Sequence, residues 1–128
     1  MDAIAFPLHD PDGALMPFVK KALPLLKKNF SQAFVSITPR TAFNLEVISF
    51  LQTDSFFHLS FNEDNSGIGD HFLTSYKDAV SNLKTDNLVH LCTIDRLCFA
   101  LLSNYKDQFL KDTKPPQSPL LFIRSPQA

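Results

Sequence analysis

Tryptophan, cysteine and long apolar segments are absent or scarce in this sequence. Thirteen phenylalanines and no tryptophan make phenylalanine the large aromatic residue of the predicted core. The two cysteines, Cys92 and Cys98, each lie inside an apolar run, which is typical of buried free thiols and not of a disulfide framework. No segment reaches the roughly 18 apolar residues of a membrane span, and the first residues do not resemble a signal peptide. We therefore expect a cytoplasmic protein with no membrane span.

Charge of one sign is also scarce. Twelve basic and 13 acidic residues give a net charge of −1 at pH 7, and no stretch contains five or more like charges. The basic footprint of a nucleic-acid-binding protein is therefore missing, and we expect no nucleic-acid partner. The lysine pairs 20–21 and 27–28 recur at helical spacing and indicate a solvated helix face.

Several catalytic and phosphate-binding motifs are missing as well. The sequence has no G-x-x-x-x-G-K-[ST] loop and no G-x-G-x-x-G after its first predicted strand, which disfavours kinase-like and common dinucleotide-binding functions. It also lacks the G-x-S-x-G nucleophile elbow and the H-E-x-x-H zinc motif. Any chemistry must therefore come from residues that the fold brings together.

The pattern that is present is a regular alternation of strands and helices. The length of 128 residues and the 45% hydrophobic content fit one domain over residues 1–128. Periodicity and turn residues predict strands at 3–8, 33–38, 56–61, 88–93 and 120–124, and helices at 14–30, 42–51, 70–83 and 97–110. Thr41 is the predicted N-cap of the second helix. This order predicts a Rossmann-like, three-layer α/β/α sandwich around a mainly parallel five-stranded sheet.

In a parallel sheet, the loops that follow the strands meet at one edge. This edge should gather His9, Asp10, Thr38, Arg40 and Asp95, together with the loop at 62–64. These residues are candidates for ligand binding, although exposed loops are commonly polar for no functional reason. Asp95 has two open interpretations, as a ligand at the tip of a strand or as the N-cap of the next helix.

Two glycines precede the third predicted helix. Gly67 and Gly69 would let backbone amides and the helix dipole approach a phosphate. Asp70 is unfavourably placed for an anion site and is better explained as a helix cap.

The chain resembles the nucleotide-binding half of glycosyltransferases with the A-type fold. The resemblance rests on Phe6-Pro7-Leu8-His9-Asp10 at the end of the first strand, and on residues 67–83 followed by residues 88–95. It implies that Pro7, His9 and Asp10 contact a nucleotide-sugar. It also implies a D-x-D motif that holds Mg²⁺ or Mn²⁺ on the diphosphate. Here the motif is Thr93-Ile94-Asp95, so only Asp95 is left as a metal ligand.

Three functions remain open at this stage. The first is a glycosyltransferase-like domain that binds a nucleotide-sugar and whose activity is either lost or dependent on a further C-terminal, acceptor-binding region. The second is a non-catalytic α/β interaction module that binds a partner or forms a homo-oligomer, which the many phenylalanines favour. The third is a flavodoxin- or receiver-like domain. A receiver domain has acidic residues after its first and third strands, and His9-Asp10 and residues 62–64 loosely resemble them.

Overall fold

The computed structural model describes residues 2–63, 67–83 and 88–113. The elements are β1 (Ala3–Leu8), α1 (Met16–Asn29), β2 (Ala33–Ile37), α2 (Pro39–Ala42), α3 (Leu45–Gln52), β3 (Phe57–Phe61), α4 (Ile68–Asn82), β4 (Val89–Leu91), α5 (Ile94–Leu102) and α6 (Lys106–Asp112). The predicted α/β alternation is confirmed over these residues.

The described sheet has four parallel strands in the order β3-β2-β1-β4. The chain first moves from β1 outward to β3 and then crosses back to place β4 on the other side of β1. This is the order of the first four strands of a Rossmann-like sheet, and it differs from the flavodoxin order, in which β3 lies beside β1. The flavodoxin- or receiver-like alternative therefore does not fit the observed topology. The predicted fifth strand, 120–124, lies outside the described residues.

Helices cover both faces of the sheet, which confirms the three-layer arrangement. On one face, buried side chains of α1, α3 and α5 pack against alternate residues of β1 and β2. On the other face, the described helix is α4, whose Ala79 packs on Ala3, Ala5 and Phe34. Small residues on both sides of this contact let α4 approach the sheet closely.

Two helices differ from the prediction. The expected helix 42–51 is two helices, because Asn44 accepts a hydrogen bond from Val47 N (3.2 Å) and caps α3. Thr41 is therefore not an N-cap but a buried residue of α2. The expected helix 97–110 starts earlier, at Ile94, and it is also divided into two helices. The break lies at Ser103, whose Oγ donates a hydrogen bond to Ala100 O and accepts one from Tyr105 N at the end of α5.

None of the helices in the described ranges is both long enough and apolar enough to cross a membrane.

Candidate functional site

A hydrogen-bonded network joins the loops that follow β1 and β2. His9 Nδ1 lies 2.8 Å from Thr38 Oγ1, which lies 2.7 Å from Thr41 Oγ1. Thr41 Oγ1 also accepts a hydrogen bond from Asp10 N at 2.8 Å. Both threonines and Asp10 are buried, whereas the imidazole of His9 is exposed. The structure thus brings His9, Asp10 and Thr38 together, as predicted, and adds Thr41.

The carboxylate of Asp10 serves the start of α1. Its Oδ2 accepts a hydrogen bond from Leu15 N at 3.0 Å, and the side chain is buried. In a Rossmann-like sheet, a pyrophosphate commonly sits at the N-terminus of this first helix. Here a buried carboxylate already occupies that position and Pro17 removes one amide donor. The geometry gives Asp10 a role in holding the loop, and phosphate binding at this helix end is disfavoured.

A second contact holds the same loop against α3. Asn44 Nδ2 donates to Pro11 O at 2.8 Å. Gly13 has φ +75°, a left-handed conformation that a residue with a side chain adopts at a cost. Asn44 was not among the predicted site residues, although an asparagine directly before an apolar periodic segment is an N-cap signal.

Pro7 and Arg40 lie on either side of this network. Pro7 is inside β1, and its neighbour β4 pairs with β1 only from Ala3 to Ala5. The missing N–H of Pro7 therefore faces a position beyond the end of β4, where no ladder bond is lost. This places Pro7 beside the point at which the strand order reverses, which is where open α/β sheets commonly bind ligands. Arg40 is exposed in the first turn of α2.

The start of α4 is also occupied by a carboxylate. Asp70 Oδ2 accepts a hydrogen bond from Gly67 N at 3.1 Å, so the prediction that Asp70 caps this helix is confirmed. A Cβ added to Gly69 would meet nothing within 4 Å, and one added to Gly67 would meet only Asp70 Oδ2 at 3.9 Å. Neither glycine is required by a close backbone approach, and their role in phosphate binding stays a prediction.

Asp95 lies in the first turn of α5 and is exposed. The helix begins after Thr93, so Asp95 is not the N-cap, and that interpretation was wrong. In the described ranges, no three His, Cys, Asp or Glu side chains are grouped in a way that would hold a metal ion. Asp95 would be a lone protein ligand, whereas Mg²⁺ is usually held by one or two carboxylates together with phosphates. The residues present do not make a metal site by themselves.

His71 is a polar residue that the sequence analysis did not select. It belongs to α4 and is buried, and its Nδ1 has no hydrogen-bond partner. Its position four residues before Ser75 and eight before Ala79 puts it on the face of α4 that packs against the sheet. That spacing was visible in the sequence, but it does not distinguish a buried histidine from an exposed one.

The two cysteines are free, as predicted. Burial, together with the neighbouring Cys98 thiol, raises the pKa of Cys92 to about 12. Burial and the carboxylate of Asp95 raise the pKa of Cys98 to about 11. Both residues are therefore thiols at neutral pH, which makes them poor nucleophiles and poor metal ligands.

Comparisons of the chain with protein-family models, curated proteins and solved structures gave no match.

Proposed function

We propose that this domain binds a nucleotide-sugar at the edge formed by the loops after β1, β2 and β4. The observation that carries the proposal is the network of His9, Thr38 and Thr41, which fixes two of these loops relative to one another. A binding surface held rigidly before the ligand arrives loses less entropy on binding. The strand order reverses between β1 and β4 beside the same loops, and open α/β sheets commonly bind ligands at such a point.

The exposed cationic and polar groups at this edge suit an anionic ligand with hydrogen-bonding groups. His9 presents an exposed imidazole whose Nδ1 is already bonded to Thr38, which fixes the orientation of the ring. Arg40 extends from the first turn of α2 and suits the bidentate recognition of a phosphate. Asp10 supports the loop from beneath and is not itself expected to touch the ligand.

Calorimetric titration tests the proposal directly. UDP- and GDP-sugars are titrated into the protein with and without Mn²⁺, and at least one is expected to release or absorb heat saturably. Arg40→Ala and His9→Ala should each weaken binding about 10- to 100-fold, because each removes a hydrogen bond to a charged group. Lys28→Ala and His58→Ala are matched controls, since both residues are exposed and lie outside the network. No saturable heat with any nucleotide-sugar would remove the proposal.

The metal is a separate variable of the same titration. Asp95→Asn should abolish any part of the signal that depends on Mn²⁺ and leave the rest unchanged. An undiminished metal-dependent signal in this variant would exclude Asp95 as a ligand.

A second function is favoured by exposed apolar side chains. Phe43 and Leu45, on either side of Asn44, are 84% and 78% exposed, and Phe99 is 76% exposed. Phe43 and Leu45 are two positions apart in the chain, and an exposed apolar patch is typical of a surface that contacts another protein. Under this alternative, light scattering would show a self-associating protein, and Phe43→Ser would shift it to the monomer. A monomer that binds nucleotide would argue against this function.

A further inference from the structure

The outer edge of β4 has no neighbouring strand among the described residues. Toward β1, Leu88 O accepts from Ala3 N at 2.9 Å, and Cys92 N donates to Ala5 O at 3.1 Å. Backbone groups of alternate residues point to the same side of a strand. The N–H and C=O groups of Val89 and Leu91 therefore point away from β1. An edge with such groups is a template for another strand.

An apolar surface runs beside this edge. Tyr76, Val80 and Leu83 are spaced as one stripe of α4, and Leu83 and Val89 pack against the same small core cluster. Tyr76 is 45% exposed and Val80 is 53% exposed, and Leu91 on β4 is 48% exposed. A strand placed beside β4 would cover these side chains on the face occupied by α4.

We propose that residues 120–124 of this chain, which lie outside the described residues, form that strand. The run Leu-Leu-Phe-Ile at 120–123 is continuously apolar, as in strands that are buried on both faces. A partner from another protein would have to supply such a segment, whereas this chain contains it. Residues 113–119 link α6 to this run and can span at most about 23 Å, so the run must lie within about 23 Å of the end of α6.

The handedness of the fold sets the direction of the added strand. The connection from β1 to β2 passes through α1 on one face, and the connection from β3 to β4 moves the opposite way through α4 on the other face. The segment after β4 enters α5 on the face of α1. A parallel strand outside β4 would therefore need a left-handed crossover, which almost never occurs. The segment adds antiparallel to β4.

Amide hydrogen exchange, resolved by residue in NMR spectra of the full chain, tests this assignment. The amides of Val89 and Leu91 should exchange at least about 100-fold more slowly than unprotected amides, because they bond to the added strand. Phe122→Pro should accelerate both about tenfold or more and leave the amide of His90, which faces β1, unchanged. Gln117→Pro is the matched control and should change none of them. Interstrand NOEs from Leu91 to residues 120–124 provide a readout that needs no variant.

Three outcomes would overturn the proposal. The first is exchange of Val89 and Leu91 at the unprotected rate in the unsubstituted chain. The second is protection that persists in Phe122→Pro while His90 stays protected. The third is protection that rises with protein concentration together with a dimeric mass in light scattering, which would assign the edge to a second copy of the chain.

Discussion

Thr41→Val removes the hydroxyl group at the centre of the loop network and keeps the shape of the side chain. Thr41 is fully buried and its Oγ1 accepts from Asp10 N and bonds to Thr38. The substitution leaves the buried amide of Asp10 without this acceptor, at a cost of about 1 to 3 kcal/mol, and removes one further hydrogen bond worth about 1 kcal/mol. We expect the free energy of unfolding to fall by about 2 to 4 kcal/mol, a large part of the stability of a small domain.

Urea unfolding followed by circular dichroism at 222 nm measures this loss. With a slope of about 2 kcal/mol per molar, typical of small proteins in urea, the midpoint should fall by about 1 to 2 M. Thr41→Ser keeps the hydroxyl and removes one methyl group, so it should cost about 1 kcal/mol. Thr53→Val removes an exposed hydroxyl that donates to Phe50 O and should cost less than about 1 kcal/mol. If Thr41→Val is no more destabilising than Thr41→Ser, the network does not hold the loops as argued.

Four further predictions concern glycine, histidine and cysteine positions. Gly13→Ala should lower the free energy of unfolding by about 1 to 2 kcal/mol, because Gly13 has a left-handed φ. Gly69→Ala should raise it by about 0.5 to 1 kcal/mol, because alanine favours a helix more than glycine does. The same urea titration measures both. His71→Leu should leave the thermal midpoint unchanged or higher, because it removes a buried nitrogen without a partner; a clear fall would show that this nitrogen is satisfied in solution. Cys92 is half-buried and Cys98 is buried. Both should resist a disulfide reagent at pH 8 in the folded protein and react in urea, and fast reaction of both without urea would contradict the raised thiol pKa values. Because their folded pKa values of about 12 and about 11 lie above the reference value of 9.0, their stabilising contribution is complete below pH 9 and declines as the pH rises toward those values.

Much of the fold could be predicted from the sequence because apolar periodicity is a local signal. β1 was predicted with its observed bounds, and β2 and β3 were predicted within one residue. The helix breaks were not predicted, because they depend on where single polar side chains form hydrogen bonds. At Asn44 the side chain caps a new helix, and at Ser103 the hydroxyl satisfies the end of α5. In both places the apolar pattern continues across the break, so periodicity alone joined the two helices.

The candidate site was predicted less completely, for a different reason. Topology alone places His9, Asp10 and Thr38 at one edge of the sheet, and their proximity followed from it. The exposure of each side chain depends on hydrogen bonds between residues that are 29 or 31 positions apart in the sequence. A local sequence pattern contains no information about such bonds. Asp10 was therefore predicted to contact a nucleotide, whereas its buried carboxylate bonds the start of α1.

Three helices, α1, α4 and α5, start at this edge of the sheet after β1, β3 and β4. Each of them has a carboxylate in or beside its first turn. Asp10 bonds Leu15 N at the start of α1, Asp70 bonds Gly67 N at the start of α4, and Asp95 lies in the first turn of α5. These carboxylates favour the helices through the helix dipole, and by the same interaction they repel a phosphate from the helix ends. A nucleotide bound at this edge must therefore gain its phosphate contacts from side chains such as Arg40, or from a cation recruited by the carboxylates. The two cases differ in the proposed titration, because the first predicts binding without Mn²⁺ that Arg40→Ala weakens, and the second predicts binding that appears only with Mn²⁺ and is lost in Asp95→Asn.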